Sequence, residues 1–252
     1  MMKSNVIKFL QTGTKTKKFR ADHPLAEKLQ EEMVNEVWND FMRFAIKDYY
    51  PVYLPFLKEL TENMEVKEEK EAALLQNLFW WRLSCDSKLS ISKTCIDEYI
   101  VAHKQVFKNR PIMESWIKSF DQAITKFYFI VHKFNDHVLI VMDMLEEKLI
   151  DVIVVDPLSF PIKVGEVVIG TLMPMGNGLY FPVTDFYHFD YEARKDMGVH
   201  FHQYFAQQLQ TSPMYEAFIY VLSAMLHIER TVSEASTPEI DSLSGSLNDN
   251  DE

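Results

Sequence analysis

The side chains in this chain that could bind a metal, attack a substrate or move a proton are a few histidines, two thiols and a set of strand-associated acids. His200 and His202 form a His-x-His pair, with His188 upstream. Ligands at i and i+2 share one face of a strand but diverge on a helix, and the surrounding KDMGVHFHQYFAQQ has a helical pattern. Strong zinc signatures show paired Cys or His at set spacings, and with no such pairs here we expect no metal and no cofactor. Cys85 and Cys95 have no Cys-x-x-Cys partner. A nucleophilic thiol needs a basic neighbour to lower its pKa, and His103 lies two helical turns beyond Cys95. Both cysteines are expected to be buried, small, apolar side chains.

Asp136, Asp143, Asp151 and Asp156 fall in or beside β-rich runs. A pair of such carboxylates flanking a substrate could do general acid/base work. Asp143 and Asp151, with His137 as proton carrier, therefore make a hydrolase or nuclease-like alternative. Their spacing selects no pair, and Asp143, which interrupts HVLIVMDML, is expected to face water. The aromatic groups Phe79-Trp80-Trp81, Tyr49-Tyr50 with Tyr53, and Phe186-Tyr187 with Phe189 offer stacking surface for single strands. Their neighbours are acidic or apolar, with Arg82 the one adjacent cation beside the tryptophans, so packing is the better account. A second alternative is a basic arm, Lys15, Lys17, Lys18 and Arg20, on nucleic acid, with salt-sensitive binding. Walker, G-x-G-x-x-G, G-x-S-x-G and H-E-x-x-H patterns are all absent.

The elements that would position these residues read clearly. From Asp22 to about Asp121 the pattern is helical, with Asp22 as a cap and Pro24 in a first turn. Leu25, Leu29, Met33, Val37, Phe41 and Phe44 form an apolar stripe. Pro51 and Pro55 predict a turn with a short following helix. Residues Glu62 to Leu83 predict another helix, Thr94 with Asp97 a capping box, and Pro111 the start of a last short helix. At Lys126 the texture becomes β. FYFIVHKF, HVLIVMDML and LIDVIVVD precede two further strands, Glu166 to Met173 and Leu179 to Val183, around Met175-Gly176-Asn177-Gly178. Asn-Gly is a strong hairpin signal. Five short strands avoid bare edges by closing into a barrel. Helices follow at Ala193 to Leu209 and, after a Ser212-Pro213 start, through an apolar segment buried against the barrel or the N-terminal helices.

The 252 residues carry 37 Asp and Glu against 26 Lys and Arg, a formal charge of −11, which argues against a general nucleic-acid coat or a polybasic membrane binder. The basic first 21 residues and the acidic end beyond Arg230 cancel, so the body itself bears the −11. No stretch has the length of a secretory signal core or a membrane span, and two cysteines are too few for a disulfide framework. A cytoplasmic location without membrane contact is expected. The Ser-, Asp- and Asn-rich end cannot offset its ordering entropy and is expected to be disordered.

The middle of the chain, from Leu78 to Phe181, resembles a group of uncharacterised bacterial proteins with a helical domain and a small barrel, sometimes followed by a SEC-C zinc module. LFWWRLSCD, RPIMESWIKSF and the strands carry the likeness, as do Gly165, Glu166, Gly170, Pro174 and Gly176 in GEVVIGTLMPMG. The tail here holds no Cys or His, so the resemblance implies no zinc module in this chain.

The expectation is an α+β protein with a basic flexible start (1–21) and a helical domain (22–122). A five-stranded barrel with two C-terminal helices (123–230) and a disordered acidic tail (231–252) complete it. Its expected role is non-catalytic: an interaction or regulatory module whose acidic body suits a basic protein or peptide partner, nucleic acid being disfavoured. The expected contact loops are Asn135, Asp136 and His137, and Met175, Gly176, Asn177 and Gly178, with the Pro157–Pro161 connection beside them.

Overall fold

A computed structural model describes Gln11 and residues 18–89, 93–154 and 162–236. The N-terminal stripe is one continuous helical rod: α1 (Glu27–Glu32), a π-helical stretch (Met33–Trp38) and α2 (Asn39–Asp48). Leu29, Met33, Val37 and Phe41 are buried along it. Asp22 is not its cap. It pairs with His23 at 2.9 Å, while Leu25 bridges to Gln11 and delays the helix to Glu27.

The rod ends at Asp48 and a new helix starts at Tyr50, the turn and following helix that Pro51 and Pro55 predict. α3 (Tyr50–Glu62) takes Pro51 in its first turn and holds Pro55 inside, because a proline at the start removes only an N–H that would be unpaired anyway. The next helix is displaced from the expected Glu62–Leu83 to α4 (Glu68–Leu89). Buried Met64 turns the chain between them, its N–H donating to the Thr61 carbonyl at 2.9 Å. α5 (Cys95–Ala102) starts on the Thr94–Asp97 capping box as expected. α6 (Lys104–Phe107) and α7 (Pro111–Ile117) follow, then a 3₁₀ turn (Lys118–Gln122).

The barrel is closed and five-stranded. Its strands are β1 (Thr125–Lys133), β2 (Val138–Asp143), β3 (Lys148–Ile153), β4 (Val167–Gly176) and β5 (Leu179–Pro182). They run in the cyclic order β1-β2-β3-β5-β4-β1, with only β3–β5 parallel. β4 closes it, pairing through Val167–Thr171 with β1 and through Leu172–Gly176 with β5. A sixth short strand, β6 (Tyr187–His188), pairs with β4 at Val168 and Ile169; two residues are too few to show a period in sequence.

Alternation along the strands separates two cores. Tyr128, Ile130, Leu139, Val141, Val152 and Phe186 fill the lumen. The outer faces join the helices through Trp38, whose ring lies 5.3 Å from Trp80, 5.8 Å from Phe120 and 5.6 Å from Phe181 on β5. That core crosses the expected boundary at 122/123 without interruption.

A short 3₁₀ turn (Tyr191–Ala193) leads into α8 (Arg194–Gln208), and α9 (Met214–Ser236) ends the described chain. Phe218 of α9 lies 6.2 Å from Trp81 and 5.3 Å from Phe127, so this helix packs on both the N-terminal helices and the barrel. The tail expected to be disordered from residue 231 is helical through Ser236, with Glu234 paired to Arg230 one turn back at 2.7 Å. Residues 237–252 lie outside the described chain.

A buried polar knot ties α4, β6 and α9 together. Lys70 Nζ donates to Asp190 Oδ1 and Glu229 Oε1, each at 2.6 Å, and to the His188 carbonyl at 2.9 Å. Lys67 and Ser233 also bond Asp190, and the Tyr187 hydroxyl donates to Glu229 Oε2 at 3.1 Å. Burial pushes the Glu229 carboxyl up. Burial works on Asp190 in the same direction, but hydrogen bonds from Lys67 and Lys70 outweigh it and hold that carboxyl well below its ordinary range.

Two measurements check these constraints. A Cβ on Gly170 would lie 2.3 Å from the Phe186 ring, so Gly170→Ala should lower stability by about 1–3 kcal/mol in chemical denaturation. An unchanged midpoint would show that Phe186 is free to move. The depressed Asp190 carboxyl adds stability that is fully present above its unfolded pKa of about 4 and is lost as pH falls through the folded value. Asp190→Asn should therefore flatten the fall in melting temperature between about pH 5 and pH 2, with Glu229, being raised, acting in the opposite sense.

Candidate functional site

The lumen-facing side chains at one end of the barrel are not sealed over. Lys126 and Tyr128 of β1, Asp143 of β2, Lys148 and Ile150 of β3, and Leu172, Pro174 and Tyr180 of β4 and β5 line a cleft of about 620 Å³. Register brings them together: Tyr128 opposes Asp143, and Asp143 opposes Lys148. The wall opposite is helical, with Ser115, Lys118, Ser119 and Gln122, and is completed by Lys18 and Phe19 of the N-terminal segment. The Phe19 N–H donates to Ser115 Oγ at 3.0 Å, and the Trp116 indole to the Pro174 carbonyl at 2.8 Å, which holds the wall to the barrel.

The charges in the cleft divide into spent and unspent. Asp143, only 1% exposed, accepts from Lys126 Nζ at 2.5 Å and from the backbone N–H groups of Leu145 and Glu146 at 3.0 and 3.1 Å. It therefore does not face water as expected: its first duty is to cap the β2–β3 turn, whose Glu147 sits at φ 53°. Lys126 also reaches Glu146 at 2.5 Å. Burial disfavours the charged ammonium, but the two carboxylates outweigh it and raise its pKa. Lys118 pairs with Glu114 at 2.7 Å. Lys18 and Lys148 are exposed on the rim and make no ion pair among the described residues. Tyr128 is 2% exposed, and its hydroxyl makes no hydrogen bond among the described residues. Burial holds that phenol well above its ordinary pKa, so it remains a neutral donor.

No family model, curated protein or solved structure matches this chain.

The residues singled out in sequence are scattered. Asn135, Asp136 and His137 form the β1–β2 turn at the far end of the barrel. There Asn135 Oδ1 accepts from the His137 N–H at 2.8 Å, Asp136 pairs with Lys133 at 2.8 Å, and the His137 ring meets the Val154 carbonyl at 3.2 Å. The Met175–Gly178 turn is at the cleft end, with Met175 and Gly176 buried, Asn177 and Gly178 exposed, and its backbone tied to the N-terminal segment. Asn177 and Gly178 donate to the His23 and Ala21 carbonyls at 2.7 and 2.9 Å, and Gln30 donates to the Met175 carbonyl at 3.1 Å. The two expected contact loops thus share no face. The alternative catalytic trio fares the same way. His137 and Asp143 lie at opposite ends of β2, about 20 Å apart along the strand, and Asp151 is exposed on the outside of β3.

His188 pairs with Glu166 at 2.9 Å, and His202 faces Glu147 at 3.7 Å. Among the described residues no three His, Cys, Asp or Glu side chains gather as a metal site. Both cysteines are buried. Burial pushes the Cys95 thiol far up, away from a nucleophilic thiolate, and His103 is turned to Asp40 and the Tyr99 carbonyl instead. Of the basic arm, Lys18 reaches the cleft and Arg20 bonds His23 at 3.1 Å; Lys15, Lys17, Asp156 and the Pro157–Pro161 connection lie outside the described residues.

Lys126, Tyr128, Lys148 and Tyr180 escaped the sequence reading. Their signal was the period of two: Lys126 and Tyr128 fall in phase with lumen residue Ile130, and Lys148 with Val152.

The division between spent and unspent lysines has a direct test. Lys126→Met leaves Asp143 buried without its cation and should cost about 3 kcal/mol, whereas Lys148→Met should stay within about 0.5 kcal/mol of the parent. Equal effects in urea denaturation would show that Lys126 is not the structural one.

Proposed function

We propose that the protein is a non-catalytic interaction module whose recognition surface is the cleft at the open end of the barrel, and that it holds an acidic segment of a protein partner. The observation that carries this reading is the pair Lys18 and Lys148. These are two rim cations with no ion pair among the described residues, standing over a floor of Tyr128, Ile150, Leu172 and Tyr180, in a protein whose net charge is strongly negative. A concave site with an apolar floor and a few convergent polar groups is the usual form of a binding pocket. The rim charge selects acidic residues and the floor an apolar or aromatic one between them. The local charge of the cleft thus favours an acidic partner over the basic one suggested by the body as a whole.

The same reading places the protein in the cytoplasm, which suits two buried thiols. Among the described residues no helix is long and apolar enough to cross a membrane. Kinship with the bacterial helical-plus-barrel proteins belongs to the same proposal. It is supported by Gly165 at φ 88°, Gly170 against Phe186, and Gly176 at φ 86° against Leu25, each at a position where a side chain would be strained or crowded.

The test is a fluorescence-polarisation titration of short peptides that alternate Glu or Asp with Tyr, Leu or Pro. At least one should bind with a Kd below about 100 µM at low salt, weaken as salt rises, and lose at least about tenfold in the Lys18→Glu/Lys148→Glu variant at unchanged melting temperature. Equal binding by that variant, or preference for a single-stranded oligonucleotide over every peptide, would overturn the reading.

A further inference from the structure

A second cavity lies behind the wall of the cleft and has the opposite chemistry. It occupies about 140 Å³ between the end of α4, β1 and the α8–α9 pair. Its depth is aromatic: Trp81, Phe127, Phe201, Phe205 and Phe218, each 6% exposed or less. Its entrance lies at Ile124 and Met214, both about two-fifths exposed. Lys126, Asp143 and Glu146 line both hollows and so stand between them.

Two features set this cavity apart from an ordinary packing gap. Its volume is close to the ~150 Å³ at which an apolar protein cavity stays dry and accepts benzene. One of its lining residues also carries an unmet hydrogen-bond donor: the Trp81 indole N–H is buried and has no acceptor among the described residues. A buried tryptophan normally finds a partner for that group. By contrast the Trp116 indole, in the same core, donates to a carbonyl at 2.8 Å.

We propose that this cavity is a binding site for a benzene-sized aromatic molecule carrying one hydrogen-bond acceptor, held by the phenylalanine rings and by the Trp81 N–H. Its occupant is neutral. A charged group would sit against a lining of low polarity, whereas a single nitrile, ether or carbonyl oxygen meets the one unsatisfied donor. The site does not use the rim cations of the acidic-segment cleft, since neither Lys18 nor Lys148 contributes to it, although Ile124, Lys126, Asp143 and Glu146 line both hollows.

Benzonitrile and phenylacetylene have nearly the same shape and differ in the acceptor, which makes them a matched pair of probes. With full-length protein, both should raise the melting temperature. Benzonitrile should bind about three- to tenfold more tightly and move the Trp81 indole resonance selectively among the four tryptophans. In Trp81→Phe the two probes should bind alike. Met214→Trp, a change at the exposed rim that need not disturb the core, should abolish both. The proposal is overturned if neither probe shifts the melting temperature or the indole signal at its solubility limit. It also fails if benzonitrile keeps its advantage in Trp81→Phe, or if both probes bind Met214→Trp undiminished.

Discussion

The pairing of the first half of β4 with β1 turns a sheet that would otherwise end in two bare edges into a ring. β4 runs for ten residues and meets three strands, β1 on one side and β5 and β6 in succession on the other. Every one of its residues but Pro174 is buried, because one face looks into the lumen and the other into the helical core. That double burial explains the nearly unbroken apolar run VVIGTLMPMG, and it explains Gly170: where the strand passes Phe186 there is no room for a methyl group. The cleft, the aromatic cavity and the helical wall are all positioned relative to this one strand.

Much of the fold was legible because local signals and packing agreed. The Thr94–Asp97 box, the Pro111 start, the Asn177-Gly178 turn and the period-two runs each had one physical solution, and each formed. Failures came where a tertiary contact outweighed a local rule. Asp22 has the side chain of a cap, yet the bridge from Leu25 to Gln11 delays the first helix to Glu27. Sequence alone predicts a solvated Asp143 because an isolated carboxylate in an apolar strand normally faces water. The cation that buries it, Lys126, lies on the neighbouring strand, and its proximity is a matter of register. The site was hidden for the same reason. Lys18, Tyr128 and Lys148 are far apart in sequence, and only the register of β1, β2 and β3 and the docking of residues 18–25 make them neighbours.

The ionic trio of Lys126, Asp143 and Glu146 has two roles. It caps the β2–β3 turn, and it forms a polar partition between a lysine-rimmed hollow and an aromatic one. A partition of this kind is stiff because each carboxylate oxygen it uses is already committed: Asp143 satisfies two backbone N–H groups as well as the ammonium. The protein thereby keeps one basic concavity on an otherwise acidic body without placing an uncompensated charge in its core.

The clasp between the Met175–Gly178 turn and residues 21–30 also bears on synthesis. Gln30 and the Met175 carbonyl are 145 residues apart in the chain. A ribosome adding about 5–20 residues per second needs roughly 7–30 s to bridge that interval. Through that time Leu25 and Leu29 of the nascent chain, both destined for the core, have no barrel to dock on. α1 thus leaves the ribosome well before the turn it clasps and is among the last elements to find its full set of partners, so residues 21–30 seal this part of the molecule late in its folding.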